Sequence, residues 1–176
     1  SPSSLSEIGY SLEDMKKILG AKSSHIEITF AYFIEKQSPL TNSKGLMDYT
    51  CSIIGSSNGK SDTDIVLKVA VPITSVCPCS KEISEYGAHN QRGEVLVSTR
   101  FDKFIWIEEI VNLVEATASC DIFSVLKRQD EKFVTEKAYE NPKFVEDIAR
   151  DVAKELMADE NITWFSVSAE NFESIH

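Results

Sequence analysis

The stretch Ile65-Val66-Leu67-Lys68-Val69-Ala70-Val71-Pro72-Ile73-Thr74-Ser75-Val76-Cys77-Pro78-Cys79-Ser80 decides how this chain is read. Its residues Ile65, Leu67, Val69, Val71 and Ile73 recur at every second position, the period of a strand with one buried face. Pro78 has no amide hydrogen for a ladder, so the strand cannot run through it. Two thiols one residue apart, Cys77 and Cys79, therefore stand where a strand breaks.

The same period extends outward. Ile26, Ile28, Phe30, Tyr32 and Ile34 alternate with polar residues that include His25, Glu27 and Thr29. Met47, Tyr49, Cys51 and Ile53 alternate with Asp48, Thr50 and Ser52. Pro39, Asn42 and Gly45 mark a loop between these two strands, and Asn58-Gly59 is a hairpin signal before the third. Val95, Val97 and Phe101 mark a fourth strand, and Ile162 to Glu170 a last one. Near the start, Ser11 can cap a short helix whose Met15 and Leu19 share a face and which Gly20 can end. Ile107, Ile110, Val111 and Val114 have helical spacing. Asn141-Pro142 predicts the start of a helix with Val145, Ile148, Ala149, Val152 and Leu156 as its apolar stripe. Asp130, Glu136 and Glu140 read as a solvated charge run. The order predicts an α+β fold, an antiparallel sheet with helices packed on one face, in a single region covering residues 1–176.

Composition narrows the function. The chain has 176 residues, 18 Lys+Arg against 28 Asp+Glu, and a formal net charge of −10, which argues against nucleic acid or an anionic membrane as partner. A small anionic substrate stays open, because a basic pocket can form on an acidic body. There is no transmembrane-length apolar run and no signal-peptide pattern in Ser1 to Ser11. Four cysteines are too few for a disulfide scaffold and suit a reducing compartment; Cys51 and Cys120, in apolar-patterned stretches, are expected to be buried.

The densest chemistry runs from Cys77 to Arg92, with two thiols, His89, Glu82, Glu85, Lys81 and Arg92 between two strands. Thiolate and imidazole suit zinc or a similar divalent ion, and Glu131 is a candidate third donor that would leave a position open for water. Inert thiols or a disulfide remain open on this pattern alone. His25-Ile26-Glu27 partly matches the zinc-deaminase signature, but that signature has two residues between its cysteines and this chain has one, so His25 reads as a surface strand residue.

The whole stretch Val71 to Arg92 resembles the signature of GTP cyclohydrolase type IB. Ser38-Pro39 with Gly45-Leu46-Met47-Asp48-Tyr49, the block from Leu126 to Asp147, and Glu170-Asn171-Phe172-Glu173-Ser174-Ile175-His176 resemble the family in the same order. The resemblance implies the tunnelling fold, a sheet completed into a barrel by oligomerisation, and a cytoplasmic homo-oligomer, expected as a tetramer. It implies hydrolysis of GTP to 7,8-dihydroneopterin triphosphate and formate, the first step towards folate, with zinc, manganese or iron as the metal. By position, the metal ligands fall on Cys77, His89 and Glu131, the pterin-anchoring carboxylate on Glu146, and a catalytic pair on Glu173 and His176. Cys79 is a further candidate, for proton transfer or for reversible disulfide formation with Cys77, and Lys81, Arg92, Lys127, Arg128 and Lys132 are candidates for the triphosphate. The family carries an N-terminal half-module before the region that begins at Ser24 and continues beyond His176, so this chain is expected to be most of a longer enzyme. The competing expectations are an archaeal-type relative that makes a cyclic phosphate of dihydroneopterin and a non-catalytic, metal-stabilised module of the same fold.

Overall fold

The computed structural model describes residues 2–59 and 63–172. In chain order the elements are α1 (Pro2–Leu19), β1 (Ser23–Gln37), β2 (Lys44–Asn58), β3 (Thr63–Val76), α2 (Pro78–Ile83), β4 (Asn90–Phe101), α3 (Ile107–Thr117), α4 (Arg128–Glu140), α5 (Val145–Ala158) and β5 (Ile162–Phe172). The strands form one antiparallel sheet in the order β1-β2-β3-β4-β5, so each strand pairs with its neighbour in sequence. The α+β reading is borne out.

Period two becomes burial through the register. Val69 lies opposite Val97 and Val71 opposite Val95, and all four are fully buried. The same face carries Met47, Tyr49 and Cys51 from β2, and onto it pack Ile110, Val111 and Val114 from α3 and Ile148, Val152 and Leu156 from α5. Each such side chain stabilises the fold by about 1.5–3 kcal/mol. Next to the carbon core, the Glu115 carboxylate of α3 accepts hydrogen bonds from Lys36 Nζ at 2.7 and 2.8 Å and from the Tyr49 hydroxyl at 2.9 Å. Burial, with the Glu115 charge beside it, pushes the Tyr49 hydroxyl above its ordinary pKa.

Three local readings are corrected. The first helix does not begin at Ser11: it begins at Pro2, and the Ser11 hydroxyl donates back to the Glu7 carbonyl at 2.8 Å. It does end at Gly20, whose φ of 59° allows the Ala21 amide to reach the Lys16 carbonyl at 3.0 Å. Asn141-Pro142 does not open a helix. Asn141 closes α4, and its side-chain amide donates to the Ala118 and Ser119 carbonyls at 3.1 and 3.3 Å; α5 starts at Val145. The presumed charge run is α4, and Asp130 is fully buried within it.

The feature that makes room for a site is a divergence of strands. The β2–β3 pairing ends at Thr50 opposite Ala70, while β3 continues to Val76. The β3 edge left by β2 is taken by the segment after α3: Thr74 bridges to Cys120, the Ser119 amide donates to the Thr74 carbonyl at 3.2 Å, and the Ser119 hydroxyl accepts from the Val76 amide at 3.1 Å.

Candidate functional site

Cys77 is the residue at which β3 gives way to α2, with Pro78 at the first helical position. The Cys77 amide donates to the His89 carbonyl at 3.2 Å, so both ends of the connection between β3 and β4 are stitched together. Ser80 reinforces this from inside: its hydroxyl donates to the Cys77 carbonyl at 3.2 Å and accepts from the His89 amide at 3.1 Å. The Gln91 side-chain amide lies 3.5 Å from His89 Nδ1. Cys77 and His89 are both half-buried, and Cys79 is exposed.

The residues that precede them in sequence, Val76 and Ala88, reach α4. Val76, Cys120 and Ala138 form a small apolar cluster onto which Ala88 and Val134 pack. The neighbours of Cys77 and His89 in sequence therefore touch α4 one turn beyond Glu131. Beside the cluster lie two adjoining cavities of about 380 and 110 Å³ that share Thr74, Asn90 and Val134. Arg92, Asp121 and Phe123 line the larger one, and Ala88, Thr135 and Tyr139 the smaller. Glu131 is exposed, and its carbonyl accepts the Thr135 hydroxyl at 2.7 Å.

The remaining candidates differ in place. The Lys143 amide donates to the Val76 carbonyl at 3.1 Å, which brings the α4–α5 link, and with it the exposed Glu146 in the first turn of α5, to the same end of the sheet. Lys81 Nζ donates to the Tyr139 carbonyl at 2.6 Å and lies 4.3 Å from the centre of that ring. Lys132 pairs with Glu136 at 3.7 Å, and Lys127 and Arg128 are exposed at the start of α4. Arg92 alone among these cations lines the larger cavity. Glu173 and His176 lie outside the described residues; β5 is described to Phe172, which pairs with Arg92.

In kind, one thiol, one imidazole and one carboxylate fit a divalent metal. In arrangement, Cys77 and His89 are held together by the backbone, but among the described residues no three His, Cys, Asp or Glu side chains stand together as a ready metal group. Glu131 stands exposed on α4, outside any such group.

The comparisons with known proteins bear on this geometry. The family model described as Type I GTP cyclohydrolase folE2 matches residues 1–176. The chain belongs to this family. Similar proteins called GTP cyclohydrolase FolE2 include those of Desulfosudis oleivorans (62% identical), Syntrophobacter fumaroxidans (60%) and Geobacter sulfurreducens (59%), each over 94% of this chain. The chain spans 64, 64 and 63% of the length of these FolE2 relatives. The resemblance to the type IB enzymes is borne out.

The chain also holds a buried carboxylate that the sequence reading placed in a solvated charge run. Asp130 Oδ1 accepts the Leu40 and Thr41 amides, each at 2.9 Å, and Oδ2 accepts the Thr41 hydroxyl at 2.5 Å and the Lys127 amide at 3.0 Å. Burial opposes ionisation of this carboxyl, but the Thr41 hydroxyl and the three amides outweigh it and hold the group well below the usual carboxylate range. The available signal was an acidic residue in the first turn of a helix, where amides are unpaired, yet the sparse apolar residues of α4 hid the helix itself.

Proposed function

We propose that the protein hydrolyses GTP to 7,8-dihydroneopterin triphosphate and formate in a metal-dependent reaction, the first step of folate biosynthesis. The observation that carries this reading is the stitching of Cys77 to His89, next to the Val76 and Ala88 that pack on α4, in a chain of the FolE2 family. Cys77, His89 and Glu131 would hold the metal, leaving one coordination position for water. A bound divalent ion supplies Lewis acidity and lowers the pKa of water towards about 7. Glu146 accepts the amide N–H and the amine of the guanine edge, which fixes the ring before reaction. Glu173 and His176 move protons to the ring nitrogens and the departing formate, with Cys79 as a further proton carrier beside Cys77. Arg92, on the cavity wall, is the first candidate for the triphosphate, ahead of Lys81 and Arg128.

The assembly proposed is a homo-oligomer, a tetramer, closing the sheet into a barrel. Two features support it. Among the described residues, β1 and β5 each have a strand partner on one side only. Phe33, Leu46, Trp164 and Phe172 are exposed on the sheet face opposite α3 and α5. The compartment proposed is the cytoplasm, where the four free cysteines stay reduced. No described helix is long and apolar enough to cross a membrane.

The test is to incubate the intact protein, loaded separately with zinc, manganese or iron, with GTP and to follow pterin fluorescence and formate. No product with any of the three sinks the reading. Mass spectrometry of the product must find a retained triphosphate; a cyclic phosphate would favour the archaeal-type reaction. Cys77→Ala is expected to abolish metal binding and turnover while leaving the unfolding midpoint within a few degrees. Unfolding instead would favour a structural metal.

A further inference from the structure

We propose that Asp130 is the positioning residue for Glu131, its buried carboxylate pinning the β1–β2 loop to the first turn of α4 so that Glu131 is held ready as a metal donor. This rests on the reading of Glu131 as a ligand. Asp130 has no contact with the solvent, whereas Glu131, about 100° further round the helix, is exposed.

The two halves of α4 are held by different means. Its C-terminal half is anchored by Val134 and Ala138 in the small cluster and by Asn141. Its first turn follows an irregular segment from Ala118 to Lys127, and helix ends with unpaired amides fray. What ties that turn to another element is Asp130, through Leu40 and Thr41. The loop they belong to is built to present these donors. The Ser38 amide donates to the Ser43 carbonyl at 3.0 Å, the Ser43 amide to the Ser38 hydroxyl at 2.9 Å, and Asn42 adopts a φ of 52°. A stiff loop thus grips a single carboxylate, and the neighbouring residue is the one that must cross the groove to Cys77 and His89.

Zinc affinity of the intact protein, read by competition with a chromophoric chelator, separates this role from simple helix capping. Both Asp130 oxygens accept two hydrogen bonds, so in Asp130→Asn the new NH2 faces donors in either orientation. The expected result is zinc affinity weakened by about 10–100-fold, as for other residues that orient ligands. Thr41→Val, which removes one of the four hydrogen bonds, weakens it less, and Thr41→Ser restores it. In a Glu131→Gln background, Asp130→Asn should cost almost nothing more, because the residue acts through Glu131. Capping alone would lower stability equally in both backgrounds and leave no such coupling. If Asp130→Asn fails to fold, Thr41→Val in the two backgrounds carries the same comparison. Wild-type affinity in Asp130→Asn, or an equal loss in both backgrounds, overturns the positioning role while Glu131 stays a ligand. Zinc affinity indifferent to Glu131→Gln overturns the ligand reading and this proposal with it.

Discussion

In the middle of the β3–β4 ladder, Val69 faces Val97 and Val71 faces Val95, each pair sealed under α3 and α5. At the end of the same ladder, Ser75 faces Gln91 on the same side of the sheet, and both are buried. There the Ser75 hydroxyl and the Gln91 side-chain oxygen Oε1 have no hydrogen-bond partner among the described residues, and neither has Asn171 Oδ1, which lies where Gly93 leaves space for it. A buried polar atom without a partner costs about 1–3 kcal/mol. The middle of the ladder therefore stabilises the fold, and the end next to Cys77 and His89 lowers its stability. Local rules of this kind tend to be broken at functional sites, and three of the five such atoms among the described residues stand at this end, with Thr99 Oγ1 and Glu108 Oε2 elsewhere.

This contrast can be put at risk. Ile73→Ala, in the well-packed part of β3, should lower unfolding stability by about 2–5 kcal/mol; a loss under 1 kcal/mol in denaturant titration would mean the core is not close-packed there. Next in size is a pH effect on β2. Burial pushes the Cys51 thiol from its ordinary 9 up to about 11. Above pH 9 the unfolded thiol gives up its proton while the folded one keeps it, so stability is fully present below pH 9 and falls as pH rises towards 11. Cys51→Ala should remove the first part of that fall, between pH 9 and 10, and an unchanged slope would show the thiol to be reached by solvent. The smallest effect belongs to the site end. Ser75→Ala removes an unpartnered hydroxyl, so it should leave stability unchanged or raise it by up to about 1 kcal/mol. A clear loss would show that the hydroxyl has a partner in the assembled protein.

Legibility follows the same division. The strands could be read because alternation carries its own signal: the buried and exposed faces of β2 and β3 follow the sequence almost residue by residue. Cys51 and Cys120 are buried as expected, and His25 is exposed on its strand. The candidate site was legible as a composition, two thiols and a histidine in a Pro-interrupted connection. α4 was not legible, because only Phe133, Val134, Ala138 and Tyr139 interrupt its polar residues and it packs through one narrow strip. Asn141 misled because it takes part in a contact more than twenty residues back in the chain, at Ala118 and Ser119.

By itself the sequence determined which residues could line up on one face of a strand, where Pro78 had to stop β3, and which donor types stand together in the connection that follows. Those are properties of neighbours along the chain, set by side-chain period and backbone chemistry. Only the tertiary structure decided that β2 parts from β3 after Thr50, that Ser119 and Cys120 take up the vacated edge, and that Asp130 turns inward to hold a loop some ninety residues away. The physical reason is that an acidic side chain is favourable in solvent or in the interior depending on whether four donors wait for it. Those donors come from two distant segments that meet only when the fold closes.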